Sequence, residues 1–364
     1  MDYEGFKEKL VEDLKEKLED AGIDAKLSFN TVKKLNDSYE AVTITPADSN
    51  LGMNLPIEKF YEAYEDGRPY EEVVDKAMDV IENGIQDKPN FNIEDITDYS
   101  KMKQTLAMEV VSAEANKEML ETVPHKMMED MAVVYRFVLS SDEDGRASVL
   151  VTNQMLETMG VTPEQLHADA MEIAPQLKPV EIKGMTEVLA ELMGVEQAEM
   201  MGMAPLAPED EQMYVASVPD KVHGAGVLAY ENFMDQAAER AGGDFFILPS
   251  SIHEILIVPD DGNVKLADLE AMVREVNATQ VAPEDKLTDS VYHYDSKEKI
   301  FELGEKFVAR QTEKEAEKSV EKENEKSEKG SVLGELKTKK EEALKTPRKT
   351  PIEKGAKGKG GEAI

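Results

Sequence analysis

The chain has no cysteine, and only five of its 364 residues are histidine. The first absence removes disulfides, thiolate catalysis and every Cys-ligated zinc or iron–sulfur site, so a metal would have to be held by His and carboxylates. The histidines, His125, His167, His223, His253 and His293, stand far apart. None belongs to a His-Glu-x-x-His pair that would set two ligands on one helix face. A Gly-rich phosphate loop closed by Lys-Ser/Thr, a dinucleotide fingerprint and a Gly-x-Ser-x-Gly elbow are all missing. No cofactor and no metal are expected. Long apolar runs are missing as well, none approaching the roughly 20 residues that span a bilayer. The stretch Met1-Asp2-Tyr3-Glu4-Gly5-Phe6-Lys7 lacks the basic-then-apolar pattern of an export signal. A cytoplasmic protein without membrane contact is expected.

Positive charge is scarce except near the end. Residues 311–364 hold 14 Lys plus Arg against 12 Glu, net +2, which leaves 28 basic against 64 acidic side chains, net −36, in residues 1–310. Such a field repels nucleic-acid phosphates and anionic lipid head groups, so the body is not expected to bind nucleic acid. The last 34 residues, with nine Lys or Arg against five Glu, are the one part that could touch it. The charge serves solubility in one reading. In a sharper one it imitates DNA to occupy a basic site on another protein, which requires ordered rows of carboxylates.

What is present is a folded body: 41% of residues are hydrophobic, and the chain is long enough for a sizeable core. Phe6, Leu10, Leu14 and Leu18 recur every four residues and predict a helix from Asp2 to Ala21, stopped by Gly22. Leu27 and Phe29 suggest a strand, Asn36-Asp37-Ser38 a turn, and Tyr39 to Thr45 a return strand. Helices should follow at Ile57–Tyr64 and from Tyr70 to about Asn83, the latter burying Val73, Val74, Ala77, Met78 and Ile81. The unit should close before Lys88-Pro89-Asn90. Further on, Leu106–Val111 reads as a strand, Ala113–Glu121 as a helix, and Met131–Leu139 with Ala147–Val151 as a hairpin about Asp142-Glu143-Asp144-Gly145. Thr162-Pro163-Glu164-Gln165 opens a helix with a capping-box pattern that should bury Leu166, Ala170 and Ile173 and end at Pro175 and Pro179.

Gly184–Met193 looks helical. Gly194–Asp210, with Met200, Met201, Met203, Pro205 and Pro208, reads as a linker or mobile loop, although methionine-rich stretches also form adaptable binding surfaces. Met213–Val218 and Gly226–Tyr230 are expected to pair as a hairpin. A helix at Asn232–Ala241 follows, then strands at Phe245–Leu248 and His253–Val258, a helix carrying Leu266, Leu269, Met272 and Val273, and a closing hairpin of Val291–Tyr294 with Ile300–Phe301. The sequence of hairpin then helix in 131–174 and again in 213–241 is read as a common supersecondary pattern rather than a duplication. The whole is expected to be α+β, with antiparallel hairpins and mixed sheets packed against amphipathic helices and a disordered charged C-terminal tail. The expected organisation is an N-terminal α+β unit (1–90), a central α+β unit (91–180), a helix and Met/Pro-rich linker (181–212), a C-terminal α+β unit (213–304) and a disordered Lys/Glu-rich tail (305–364). From Ala309 to Gly330 the only apolar side chains are Ala309, Ala316 and Val320, too few to pack on a core.

Gly226-Val227-Leu228-Ala229-Tyr230, with Gly243-Asp244-Phe245-Phe246-Ile247-Leu248-Pro249-Ser250-Ser251-Ile252-His253-Glu254, resembles an uncharacterised family of bacterial proteins common in gut anaerobes and often met on mobile genetic elements. The likeness extends to Pro124-His125, Ala132-Val133-Val134-Tyr135 and Val151-Thr152-Asn153, covering most of residues 1–304. A second uncharacterised bacterial family is more distantly similar, its corresponding block reading more like Pro-Ser-Arg-Asp; Ser251 and His253-Glu254 depart from that pattern. Neither resemblance implies an activity or a catalytic residue.

One constellation has the material of nucleophilic catalysis: Ser250, Ser251, His253 and Glu254, a hydroxyl beside an imidazole and a carboxylate. Residues two apart on a strand are stretched away from each other, and the alternative is a tight turn after Pro249 capped by the serines. The leading expectation is an accessory protein whose acidic body binds another protein. The rivals are a hydrolase of unfamiliar type centred on Ser251 and His253, and a DNA mimic.

Overall fold

A computed structural model describes residues 1–34, 36–47, 52–86, 93–142, 145–207, 210–319 and 339. Helix α1 (Tyr3–Asp20) starts where the Asp2 carboxylate accepts the Gly5 N–H at 3.0 Å, and its four-residue stripe Phe6, Leu10, Leu14 and Leu18 is fully buried. Strands β1 (Ala25–Lys34), β2 (Asp37–Pro46) and β3 (Met53–Pro56) form an antiparallel sheet in that order. Pro56 ends β3 and turns the chain into α2 (Ile57–Glu65), and α3 (Tyr70–Gln86) follows. Val42, Ile44 and Leu55 of the sheet meet Val73, Val74, Ala77, Met78 and Ile81 of α3 in one core with the α1 stripe. These elements stand as expected; the boundary at Lys88-Pro89-Asn90 lies outside the described residues.

Two short helices, α4 (Ile93–Ile96) and α5 (Tyr99–Met102), lead to β4 (Leu106–Ser112), whose first six residues are buried. The helix expected over Ala113–Glu121 shrinks to one turn, α6 (Lys117–Leu120). Next come β5 (His125–Met128), β6 (Met131–Asp142) and β7 (Gly145–Leu150); β6 is the long central strand, paired with β4, β5 and β7, all antiparallel. The expected hairpin is therefore present, its Glu143-Asp144 tip lying outside the described residues. Helix α7 (Asn153–Met159) was not anticipated. Helix α8 (Pro163–Leu177) opens as expected, Thr162 accepting the Gln165 N–H at 3.2 Å. It does not stop at Pro175, which sits inside its last turn, and Ala174 rather than Ile173 takes the third fully buried position. A proline so near the end removes a single N–H from the ladder, the one that would reach Met171 O, and beyond the helix the Tyr230 hydroxyl donates to Lys178 O at 2.9 Å and lies 3.4 Å from Ala174 O, which accepts the Lys178 N–H at 2.8 Å.

The remaining strands, β8 (Glu181–Gly184), β9 (Tyr214–Ser217), β10 (Phe245–Leu248), β11 (Ile255–Pro259), β12 (Tyr292–Asp295) and β13 (Ile300–Leu303), form an antiparallel sheet of order β13-β12-β10-β11-β9-β8. Between them lie α9 (Met185–Met193), α10 (Val195–Met200), α11 (Phe233–Ala241) and α12 (Leu266–Thr279). The hairpin expected from Gly226–Tyr230 is absent. Gly224–Ala229 instead forms a 3-10 helix buried on every side, because Gly226 comes so close to β4 that a Cβ would run into the Met108 carbonyl. A five-residue apolar run fits either shape by periodicity, and only tertiary contact decides. The second hairpin–helix unit is thus no copy of the first. Met272 of α12 faces solvent, while Leu269 and Val273 are buried.

One continuous core runs from Met102 and β4 through β6, α8 and the 3-10 helix to β10, β11 and Tyr294. Residues 1–304 form one compact unit, an α+β fold of antiparallel sheets and amphipathic helices, and Glu305–Ile364 a second. Residues 304–319 are helical; apart from residue 339, the rest of the expected tail lies outside the described residues. Among the described residues no helix is long and apolar enough to cross a membrane.

Candidate functional site

Ser250 and Ser251 close β10 and are nearly buried. The Ser250 carbonyl accepts the Leu287 N–H at 2.9 Å, and the Ser251 hydroxyl accepts the backbone N–H of His253 at 3.0 Å, a serine-capped turn. Both imidazole nitrogens of His253 are committed elsewhere. Nδ1 accepts the His223 backbone N–H at 3.3 Å, which places the ring proton on Nε2, 3.1 Å from Asp285 Oδ1. A base for Ser251 would need a free ring nitrogen beside the hydroxyl, and His253 offers none. Glu254 is exposed. The four residues adjoin in sequence without forming a relay.

What His253 does is hold His223, a partner the sequence did not suggest. His223 sits at φ 55°, in the left-handed region. Its Nδ1 lies 3.7 Å from Oε1 of Glu109 on β4, the same oxygen that accepts Arg136 Nε of β6 at 2.9 Å. The Glu109 side chain is only 5% exposed, and its Oε2 has no hydrogen-bond partner among the described residues. Burial pulls the His223 pKa below the ordinary range while Glu109 opposes it. The signal was available: Glu109 is the one charge inside Leu106–Val111 and Arg136 the one charge inside Met131–Leu139. Their meeting, however, depends on a strand register that pairs Glu109 with Val134 and Ala107 with Arg136.

A cavity of about 500 Å³ opens beside Asn36, Asp130 and Thr288. Asp130 accepts the hydroxyls of Thr288 at 3.0 Å, Ser290 at 2.9 Å and Tyr292. Asn36 and Asn116 exchange two hydrogen bonds, and Asn36 Nδ2 also donates to Lys286 O at 2.6 Å. The groups around this cavity are mostly spent on one another, fastening the β1–β2 turn to the loop before β12. No group of three or more His, Asp or Glu able to hold a metal ion occurs among the described residues.

The least satisfied surface is the α9–α10 hairpin and the strand of chain after it. Leu192 (71%), Val195, Met200 (88%), Met201 and Leu206 are all exposed within 192–206. That is an unusual density of apolar side chains left in water. Several of its described residues are held in place. Ala190 and Ala198 are buried, Thr186 accepts the Leu206 N–H at 3.0 Å, and the nearly buried Glu211 carboxylate accepts the Thr186 hydroxyl. Gly184 leaves the room that Glu211 fills. From Gly184 to Asp220 there is no Lys or Arg, against eight Asp or Glu and six Met.

DNA mimicry would need ordered rows of carboxylates, and α1 carries one short row beside paired cations. Glu8, Glu12 and Glu16 are exposed four apart on α1, but Lys9 pairs with Asp13 at 3.2 Å and Lys17 with Asp75 of α3 at 2.9 Å.

Among the described residues the protein is an α+β body in which Ser250, Ser251, His253 and Glu254 form no relay and the α9–α10 hairpin exposes apolar and acidic side chains together. The chain belongs to the family of unknown function DUF5688, whose model matches residues 3–296. No curated protein and no solved structure matches it.

Proposed function

We propose that the protein is a cytoplasmic accessory protein that acts by binding another protein, with the α9–α10 hairpin as the binding face. The observation that carries this is the exposure of Leu192, Val195, Met200, Met201 and Leu206 on a segment pinned by Thr186 and Glu211. Unbranched thioethers adapt to a partner's shape, and burying a large apolar side chain contributes about 1.5–3 kcal/mol. A bacterial host of the gut-anaerobe type, and carriage on a mobile element, accord with an accessory role that needs no chemistry of its own. The basic end of the chain could touch nucleic acid weakly, independently of this face.

The test is affinity capture from native cells with the wild type and a Leu192→Glu/Met200→Glu double variant. The wild type should recover a stoichiometric partner that the variant loses, both proteins melting alike. Recovery of no stoichiometric partner by the wild type overturns the reading, and equal recovery by both overturns the choice of face.

A further inference from the structure

We propose that the occupant of the α9–α10 face is an amphipathic helix of the partner protein, with Lys or Arg flanking its apolar stripe. This rests on the reading that the protein acts by binding another protein, and it names the partner's chemistry.

The backbone decides between helix and strand. Between their ends α9 and α10 spend N–H and C=O groups on the helices themselves, and the first N–H groups of α9 go to Met213 O at 2.9 Å and to the Glu211 carboxylate at 3.3 Å, so an extended segment laid across the helix faces would lose water from its own backbone groups and gain no ladder of partners. A helix arrives with those groups already satisfied. The neighbouring sheet edge offers little alternative. Strand β8 has four residues, and its Ile182 carbonyl already accepts Arg240 at 3.0 Å. The side chains point to the same conclusion: Leu192, Val195 and Met200 stand on two short helices joined at Gly194, with Met201 capping the second, so an incoming helix can lay an i, i+3, i+4, i+7 stripe against them.

The charge decides the flanks. Lys183 is the last cation before Lys221, and it is held by Glu191 at 2.7 Å. Glu196, Glu199 and Asp210 are exposed and make no ion pair among the described residues. An acidic or neutral amphipathic helix would meet carboxylates with nothing to offer them, whereas Lys or Arg on either side of the stripe would complete them.

Two synthetic helical peptides test this, identical in a Leu stripe and differing only in Lys or Glu at the flanking positions. Each is titrated against the full chain by fluorescence anisotropy at low and high salt. The Lys peptide should bind, and the Glu peptide should bind at least about tenfold more weakly. Glu196→Gln/Glu199→Gln should weaken the Lys peptide and flatten its salt dependence, and Leu192→Ser/Met200→Ser should weaken it at both salts. Glu12→Gln/Glu16→Gln on α1, which removes the same charge elsewhere, should leave it unchanged. Equal binding of the two peptides overturns the proposal. So does an effect of the α1 pair as large as that of Glu196/Glu199, which would mean diffuse attraction to a polyanion. If neither peptide binds while the wild type still captures a partner that Leu192→Glu/Met200→Glu loses, the helix falls and the interaction reading stands; if capture fails as well, both fall.

Discussion

Gly226 fixes the position of a whole segment by what it lacks. Its neighbours on β4 are backbone atoms, which cannot rotate aside, so the Cβ of a Gly226→Ala variant must push the 3-10 helix and β4 apart. Overpacking of this kind costs about 1–3 kcal/mol. In a folded unit of this size that corresponds to roughly 2–5 °C of melting temperature by calorimetry, and an unchanged midpoint would refute the contact. A second residue-scale consequence concerns protons. Burial depresses the pKa of His167, His223 and His293, so each stays neutral in the folded chain where the unfolded chain would take up a proton. The stability this provides is present above the ordinary imidazole pKa of about 6.5 and is lost as pH falls through the depressed folded values. Denaturant unfolding at pH 7.5 and 5.5 should show the wild type weakening at the lower pH. His223→Asn should show a smaller difference; identical differences would mean that the Glu109, Arg136, His253 and Lys178 charges around His223 keep its proton affinity equal in both states.

The elements legible in the sequence were those whose burial follows a local period. The stripe of α1, the five buried positions of α3 and the Thr162 cap of α8 could be read because each is decided within one turn of helix. The failures share a different cause. Gly226–Tyr230 took its shape from β4 and not from its own pattern, and α8 runs past Pro175 to an end that Tyr230, 55 positions further along the chain, meets at the Lys178 carbonyl. Ser251 and His253 looked like a pair because they stand close in sequence, whereas the contacts run between separate segments: His253 to Asp285 and to the His223 N–H, and Glu109 to His223 and Arg136. The Tyr230 link can be measured. Tyr230→Phe leaves the ring in place and removes the donor from Lys178 O, while Ala174 O keeps the Lys178 N–H at 2.8 Å, so it should cost about 1–3 kcal/mol in urea unfolding. Amide exchange should quicken in the last turn of α8 before it does in β6. Uniform exchange throughout would show that the hydroxyl does not hold the helix end.

At the scale of the molecule the governing quantity is a net charge of −36 on residues 1–310. Packing so many carboxylates on one body raises their mutual repulsion in the folded state above that in the extended chain, and the few ion pairs, such as Lys7–Glu40 at 2.7 Å, neutralise little of it. Salt shortens the Debye length from about 30 Å at 0.01 M to about 10 Å at 0.1 M, so it screens repulsion between distant carboxylates more than it weakens contacting pairs. The melting temperature should therefore rise with NaCl over this range, and a flat or falling curve would mean that paired charges dominate. Binding at α9–α10 should move the other way, because the same screening removes the attraction of Glu196, Glu199 and Asp210 for a cationic helix. Two opposite salt slopes would separate the two roles proposed for one charge: opposition to folding on the body as a whole, and selection of a partner beside the exposed methionines. Glu196→Gln/Glu199→Gln should therefore flatten the binding slope and leave the melting slope nearly as steep, and a loss of both slopes together would mean that no local selection exists.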